Sequence, residues 1–252
     1  MSRSRSLLVL VPPSEAKAPG GTREVHDGPF DSVLGAARRD VRAAVRSLLA
    51  GATSRELERI LHVRGPLLER ARAAMTDVGS GEVRTLPAWQ RYCGVVWTHL
   101  EPATLHVRQR RRLLVPSGLY GLSAGEDRIA DYRLRMSVNL APVGRLTDFW
   151  RTRTTEALAE YARGRTIVSL LPREHTASID FVAVGQYCRV RQVEFREGHD
   201  GAAVGHDAKA VKGRFARHVL VNGADGLEEF SWRDWRVVPS TRGTTNLTVQ
   251  RC

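Results

Sequence analysis

Three lysine residues are the first candidates for chemistry in this sequence. Of the 39 lysine and arginine residues, only Lys17, Lys209 and Lys212 are lysine. A lysine kept where arginine serves nearly everywhere else indicates a need for a compact ammonium whose pKa burial can lower. Lys17 stands in a loop rich in proline and glycine, and the other two are three residues apart, on one face of a predicted helix. We therefore expect the three lysines to converge on one anion-binding cleft.

Polar neighbours of these lysines are suited to acid–base work. Glu15 lies two residues before Lys17, and His206 and Asp207 stand just before Lys209. If the protein is an enzyme, the lysines would bind phosphate or act as acid and base, with these neighbours as partners. Asp207 would also partly neutralise the lysine pair or tune the pKa of one of its members.

No metal or cofactor site is predicted. The adjacent pairs Glu174-His175 and His199-Asp200 would point apart if they lie on strands. The three cysteines have no metal-ligand spacing. The loop after the first strand lacks the spacing of a Walker A motif. We expect the protein to work without a cofactor.

The charge of the chain points to an anionic partner. Its 252 residues carry a formal net charge of +12, and the pI is about 10.6. Such a balance favours nucleic acid, a nucleotide or a membrane surface as partner. The alternative is an arginine-rich chain that is basic without binding anything.

Composition and hydropathy place the chain among globular proteins. Hydrophobic residues make up 42% and charged residues 26%, which excludes a disordered tail, a collagen-like fibre and a coiled coil. No apolar run reaches the length that crosses a bilayer, and the apolar run 7–11 is too short for the core of a signal peptide. We expect a cytoplasmic monomer that does not bind membranes.

Apolar spacing predicts a mixed α/β (α+β) fold, in one domain over 1–252. The predicted strands are 7–11, 113–116, 166–171, 188–195, 232–238 and 247–249, and the predicted helices are 31–49, 54–61, 66–75, 88–99, 146–161 and the end of 203–220. A tight turn, Ser117-Gly-Leu-Tyr-Gly121, follows the second strand, at a place where binding groups often sit.

The segment 54–75 resembles a helix-hairpin-helix element. Two short helices flank Val63-Arg64-Gly65-Pro66, and in such elements amide groups of the turn and a nearby cation hold a DNA phosphate. Arg64 is the candidate cation. The usual second glycine is replaced by Leu67, so a plain αα-hairpin in which Gly65 ends the first helix is the alternative.

Five segments resemble motifs of one family, in the same order. They are Val11-Pro-Pro-Ser-Glu-Ala-Lys17, Ser117-Gly-Leu-Tyr-Gly121, Tyr132-Arg-Leu-Arg-Met136, Phe149-Trp150 and Ala208-Lys-Ala-Val-Lys-Gly213. This order and spacing are similar to those of the YaaA family of peroxide stress proteins, from about residue 7 to residue 251. Each motif is short, and the specificity comes from the five together.

The resemblance implies a function as well as a fold. It implies a single-domain α/β fold with a basic cleft and a helix-hairpin-helix element, binding to double-stranded DNA, and a role in limiting oxidative damage. The candidate anion-binding residues are Lys17, Arg64, Gly65, Ser117, Tyr120, Tyr132, Arg133, Lys209, Lys212 and Arg214. All three lysines fall inside family motifs.

Departures from the family pattern leave a second function open. His206 and Asp207 precede Lys209 where the family usually carries an aromatic and a polar residue, and Ser137 stands in place of a glycine. A divergent member of this kind suits an enzyme acting on a nucleobase, a nucleotide or a similar anionic small molecule, for example in a biosynthetic cluster. A basic scaffold without chemistry is the third interpretation.

Overall fold

The fold is built on a mixed β-sheet of eight strands, which come from both ends and the middle of the chain. The computed structural model describes residues 7–24, 28–80, 83–197, 206–238 and 246–252. Its strands are β1 (Leu7–Leu10), β2 (Thr85–Pro87), β3 (Leu113–Ser117), β4 (Gly121–Ala124), β5 (Arg128–Ala130), β6 (Asn139–Leu140), β7 (Gly144–Arg145), β8 (Thr166–Ser169), β9 (Arg189–Arg196), β10 (Ser231–Trp232), β11 (Trp235–Val238) and β12 (Asn246–Arg251). The eight-stranded sheet has the order β10-β11-β12-β9-β8-β1-β3-β4.

Helices pack around this sheet. They are α1 (Asp31–Gly51), α2 (Ser54–Leu61), α3 (Pro66–Ser80), α4 (Ala88–Arg91), α5 (Val95–Leu100), α6 (Val107–Arg110), α7 (Leu146–Tyr161), α8 (Arg173–Thr176), α9 (Phe181–Gly185) and α10 (His206–Asn222). The predicted mixed α/β class is confirmed. Within the described residues, no helix is both long and apolar enough to cross a membrane.

Five neighbouring strands of the sheet are parallel. β1 pairs with β3 on one side and with β8 on the other, and β9 and β12 continue the parallel set. The four residues of β1 are all buried, as expected for the centre of a sheet covered on both faces. The chain moves from one side of β1 to the other between β3 and β8. That arrangement opens a crevice at the carboxyl end of β1, where α/β proteins bind ligands.

The helix pair predicted over 54–75 is present. Thr53 caps α2, since its side chain accepts from the backbone N–H of Glu56 while the Glu56 carboxylate accepts from the Thr53 N–H. Gly65 has φ +57°, in the region that glycine adopts without strain, and Pro66 begins α3. The helix α3 extends to Ser80, further than the predicted end at residue 75.

The single helix predicted over 88–99 is wrong. The chain forms the short helices α4 and α5 instead, and Tyr92 lies between them in a β-bridge with Lys17. Gly94 lies so close to Ser14 Oγ that a Cβ there would overlap it. The helix breaks because the loop after β1 pairs with the backbone at this point, a long-range contact that overrides the local helical spacing.

The turn Ser117–Gly121 has a structural role that explains its two glycines. A Cβ on Gly118 would lie 2.8 Å from the carbonyl oxygens of Leu134 and Arg135. Gly121 has φ +69°, and a Cβ there would lie 2.5 Å from the buried Trp150 ring. The glycines thus let the turn approach both Trp150 and the segment of residues 131–136.

We predict that Gly121→Ala destabilises the protein more than Gly144→Ala. Both glycines have positive φ, +69° and +83°, but nothing lies within 4 Å of a Cβ on Gly144. The strained backbone costs about 1–2 kcal/mol in each variant, and overlap with Trp150 adds about 1–3 kcal/mol in Gly121→Ala. Urea unfolding measures both free energies, and equal losses would contradict the predicted packing of Gly121.

Candidate functional site

Three adjoining cavities form one cleft at the carboxyl end of β1. The outer cavity, about 970 Å³, lies between the turn joining α2 to α3 and the side chains of Arg133 and Arg135. The middle cavity, about 450 Å³, is lined by Lys17, Asp131 and residues of α3. The inner cavity, about 80 Å³, is lined by Lys17, Arg135 and the α8 pair Glu174 and His175. Arg133 lines all three.

Lys17 lies at the junction of the middle and inner cavities. Its side chain is buried, with 7% of the residue exposed. The ammonium nitrogen Nζ donates to the Ser14 carbonyl oxygen at 2.9 Å. It also stands 4.0 Å from the centre of the Tyr132 ring and 5.6 Å from that of Tyr92. Lys17, which the sequence predicts as a site residue, is thus a buried residue that lines the cleft.

Burial lowers the pKa of Lys17 from 10.5 to about 7. The nearby positive charges of Arg133 and Arg91 lower the pKa further, whereas the carboxylates of Asp131 and Glu15 raise it. The Tyr132 ring favours the ammonium by about 1 kcal/mol, which changes a pKa by less than one pH unit. Burial therefore dominates, and a large fraction of Lys17 is a neutral amine at neutral pH, able to act as a base or a nucleophile.

A pair of buried tyrosines supports Lys17. The hydroxyl oxygens of Tyr92 and Tyr132 are 2.7 Å apart and share a hydrogen bond. Burial raises the pKa of both hydroxyls, so both remain protonated. Tyr132 was predicted as a site residue, but Tyr92 was not, because its aromatic-rich segment suggested a core helix.

Ser117 and Tyr120 contact Tyr132 and support its position. The hydroxyl of Ser117 accepts from the Tyr120 backbone N–H at 3.2 Å, and the Tyr120 hydroxyl accepts from the Ala130 N–H at 2.8 Å. The Tyr120 ring contacts Tyr132 edge to face. These contacts hold Tyr132 in place, and anion binding by Ser117 and Tyr120 stays a prediction.

Arginine–carboxylate pairs line the wall of the cleft. Arg133 donates to Glu15 at 2.8 Å and to the carbonyl oxygen of Leu61 at 3.3 Å. Arg135 forms an ion pair with the same Glu15 carboxylate. Asp131 stands 3.7 Å from Arg70 of α3. The middle and inner cavities therefore carry both signs of charge, and an anion would have to exchange with Glu15 for the two arginines.

Two residues that line the inner cavity each carry a buried polar atom without a partner among the described residues. The two atoms are Nε of Arg135 and Nδ1 of His175, and both residues line this cavity. Burial lowers the pKa of His175, so its ring is neutral at pH 7. The adjacent pair Glu174-His175 had been expected to point apart on a strand. Instead both residues lie on α8 and line the same cavity, so that expectation is wrong.

Lys212 lies near His175 from the side of α10. Its positive charge helps to lower the pKa of His175, and its Nζ stands 5.2 Å from the Phe195 ring centre. Burial, aided by the charge of Lys209, lowers the pKa of Lys212 to about 8. Lys209 itself is exposed, one helical turn earlier. Lys17 and His175 line the same cavity, Lys212 acts electrostatically on His175, and convergence of all three lysines on one anion stays a prediction.

The other predicted residues of α10 have structural partners. Asp207 is 3.6 Å from Arg251 of β12, so its carboxylate is paired with an arginine rather than with a lysine. Arg214 pairs with Glu101 at 2.9 Å. A Cβ on Gly213 would overlap the Val96 carbonyl oxygen, so this glycine allows α10 to approach α5 closely. The side chain of His206 lies outside the described residues, as do His199 and Asp200.

Arg64 and Gly65 are exposed at the opposite end of the cleft. Arg64 lines the outer cavity together with Arg55, Arg59, Arg133 and Arg135, and the acidic residues there are Glu56 and Glu58. This part of the cleft is therefore richer in positive charge than the part around Lys17. In the described part of the chain, no three His, Cys, Asp or Glu side chains are grouped to hold a metal ion.

Comparison with known proteins links most of the chain to one family. A family model described as "Peroxide stress protein YaaA" matches residues 7–240. A UPF0246 protein of Streptomyces coelicolor is 33% identical over 224 residues, which cover 86% of this chain and 84% of that protein. A UPF0246 protein of Cereibacter sphaeroides is 28% identical over 235 residues, covering 88% of this chain and 90% of the relative. The predicted family resemblance is confirmed.

The small number of lysines allows the pKa of Lys17 to be measured directly. In protein labelled with carbon-13 at lysine Cε, we expect the Lys17 signal to titrate with a midpoint near pH 7 and the Lys212 signal near pH 8. Lys17 is then an ammonium below pH 7 and a neutral amine above it. Single Lys→Arg variants assign the three signals. A Lys17 midpoint at its ordinary value of 10.5 would show that the amine is not desolvated.

Proposed function

This chain belongs to the YaaA family of peroxide stress proteins, and we propose that it binds double-stranded DNA in the response to oxidative damage. The family supports a general association with oxidative stress. The observation that carries DNA binding is the outer cavity, where five arginines and two glutamates surround the turn between α2 and α3. Phosphate contacts by arginine supply most of the sequence-independent affinity for DNA.

The turn between α2 and α3 has the features that a phosphate site needs. Arg64 and Gly65 are exposed, so a DNA backbone has access to both. The amino end of α3 favours an anion beside it, although Pro66 has no N–H and the Leu68 N–H donates to the Gly65 carbonyl oxygen at 2.8 Å. With the neighbouring arginines Arg55 and Arg59, this surface would bind one strand of the backbone. Such contacts position a duplex without reading its bases, so we expect weak sequence preference.

A small anionic ligand in the middle cavity is the second candidate. The observation that favours it is Lys17, a buried amine at the junction of two cavities, held between aromatic rings. The volume of the middle cavity, about 450 Å³, is in the range of small-molecule sites. Arg70 and Arg133, which line it, would bind a phosphate or a carboxylate. DNA binding and this second function do not exclude each other, because Arg133 also lines the outer cavity.

Salt tests the proposal of DNA binding. With about five phosphates neutralised, the affinity for duplex DNA should fall about 500-fold between about 50 and 200 mM salt, because bound counterions are released. Fluorescence anisotropy with labelled duplexes of several unrelated sequences measures how the affinity changes with salt concentration and whether it depends on the sequence. Absence of binding at low salt, or an affinity that salt leaves unchanged, would remove duplex DNA as the partner.

Reversal of one charge tests the location of the DNA surface. Arg64→Glu should weaken duplex binding at least ten-fold and reduce the salt slope by about one, since a phosphate contact is replaced by a repulsion. The matched control is Arg189→Glu, which makes the same change in net charge on an exposed residue at the amino end of β9, away from the cleft. Both variants should unfold within about 0.5 kcal/mol of the parent protein. Equal losses of affinity in the two variants would mean that only net charge matters.

A further inference from the structure

We propose that the Lys17 amine forms an imine with the aldehyde of an open-chain sugar phosphate. Within DNA, this sugar is the deoxyribose left where a base has been lost, whose ring-opened form is an aldehyde. The DNA form of the substrate rests on the proposed DNA binding, and the imine chemistry does not. Such a substrate agrees with the family's association with oxidative stress, because oxidised DNA loses bases.

The position of Lys17 carries the first part of this inference. Lys17 lines both the middle and the inner cavity, and within the described residues its Nζ donates a hydrogen bond to the Ser14 carbonyl oxygen. A neutral amine can keep that bond with one N–H while its lone pair is directed at an electrophile. The Tyr132 ring, 4.0 Å away, stabilises the cation of a protonated imine as it stabilises the ammonium. The lowered pKa of Lys17 supports this role, since only the neutral amine attacks a carbonyl carbon.

The inner cavity carries the second part. Arg135 and His175 line this cavity, and each carries a buried atom, Nε and Nδ1, without a partner among the described residues; an unsatisfied buried polar group costs about 1–3 kcal/mol. A ligand that supplies a phosphate or hydroxyl oxygen to Arg135, and a hydroxyl to His175, would remove that cost. An apolar aldehyde would leave both atoms unsatisfied. The cavity therefore selects a carbonyl compound that is rich in oxygen.

The charges around the amine favour a phosphate on that compound. Arg133 and Arg135 share the Glu15 carboxylate, which is their one acidic partner within the described residues, and a phosphate would take its place. The side chain of Arg70 on the far wall is 60% exposed. A dianionic phosphate can pair with these arginines bidentately, and its sugar then extends toward Lys17. In abasic DNA, the phosphates on either side of the deoxyribose would take these positions.

The reaction balances without an oxidant or a cofactor. The Lys17 nitrogen adds to the aldehyde carbon, which forms a C–N bond and converts the carbonyl oxygen to a hydroxyl. That hydroxyl then leaves as water with a proton taken from solution, and a protonated C=N bond remains that keeps one proton of the original amine. Nothing is oxidised or reduced, and addition of water reverses both steps. The product is a covalent link between the protein and the sugar that hydride reduction makes permanent.

Reductive trapping tests the proposal. The full chain is incubated with sodium cyanoborohydride and one of three probes: a duplex with a single abasic site, the same duplex without the lesion, or free deoxyribose 5-phosphate. We expect a stable adduct with the abasic duplex, with the free sugar phosphate, or with both, and none with the intact duplex. Peptide mapping of the adduct should locate it on Lys17. This assignment uses the unaltered protein and does not depend on the folding of a variant.

Lysine variants provide the matched comparison. Lys17→Arg keeps the charge but removes the nucleophile, and it should lower adduct formation at least ten-fold. Arg189→Lys, which adds an exposed lysine at the amino end of β9, away from the cleft, should leave the adduct yield unchanged and carry no adduct itself. Thermal unfolding shows whether each variant is folded. Adducts spread equally over Lys17, Lys209 and the amino terminus would overturn the proposal, because they would reflect only the reactivity of free amines.

The three probes separate this inference from DNA binding. If the protein binds both duplexes in a salt-dependent manner but no probe is trapped, the imine proposal is wrong and DNA binding stands. If free deoxyribose 5-phosphate is trapped on Lys17 while neither duplex binds, the imine chemistry stands and DNA is not its source. Trapping of the abasic duplex on Lys17 supports both, since the adduct then requires the DNA surface and the amine together.

Discussion

The buried guanidinium of Arg91 fixes the loop on which the whole cleft depends. Arg91 is fully buried and donates to carbonyl oxygens of Ala18 and Gly20 in the loop after β1, and to those of Arg84 and Ile129. Removal of such a residue would leave several buried acceptors unsatisfied. Two backbone hydrogen bonds, from Ala18 to Arg91 and from Cys93 to Ala16, join the loop to the same segment. Lys17 lies between these bonds, so the backbone that carries its side chain is held in place.

Arginine in this chain acts largely as a clamp on backbone carbonyls, and this explains much of its composition. Arg38 donates to the carbonyls of Tyr120 and Leu122, and Arg110 to that of Leu105. A planar group with five N–H donors can serve several acceptors at once, which an ammonium cannot do. The net charge of +12 therefore includes cations that hold the fold together. The exposed cations around Arg64 are the ones that the proposed DNA binding would use.

The sequence predicts helices and strands more readily than the long-range contacts between them. Apolar spacing located β1, α1, α2 and α7 closely, because each forms from local patterns. It failed where a distant contact decides, as at Tyr92, where pairing with Lys17 interrupts a helix. Among the site residues, Lys17 could be identified from the sequence because it is one of three lysines. Tyr132 could be identified because it lies in a family motif. His175 gave no such signal, since its importance comes from the inner cavity that three separate segments enclose.

The cleft combines two properties that oppose each other. Arginines at the outer cavity attract anions, whereas neutrality of the amine at Lys17 requires a site from which water is excluded. The fold separates them along one groove: Arg64 is exposed to solvent, and Lys17 is buried behind Arg133. Arg133 contacts both regions, since it donates to the end of α2 and to Glu15 beside Lys17. A ligand long enough to meet the exposed arginines and flexible enough to place one unit in the buried site would use the whole groove. A phosphate backbone with one displaced sugar has both properties.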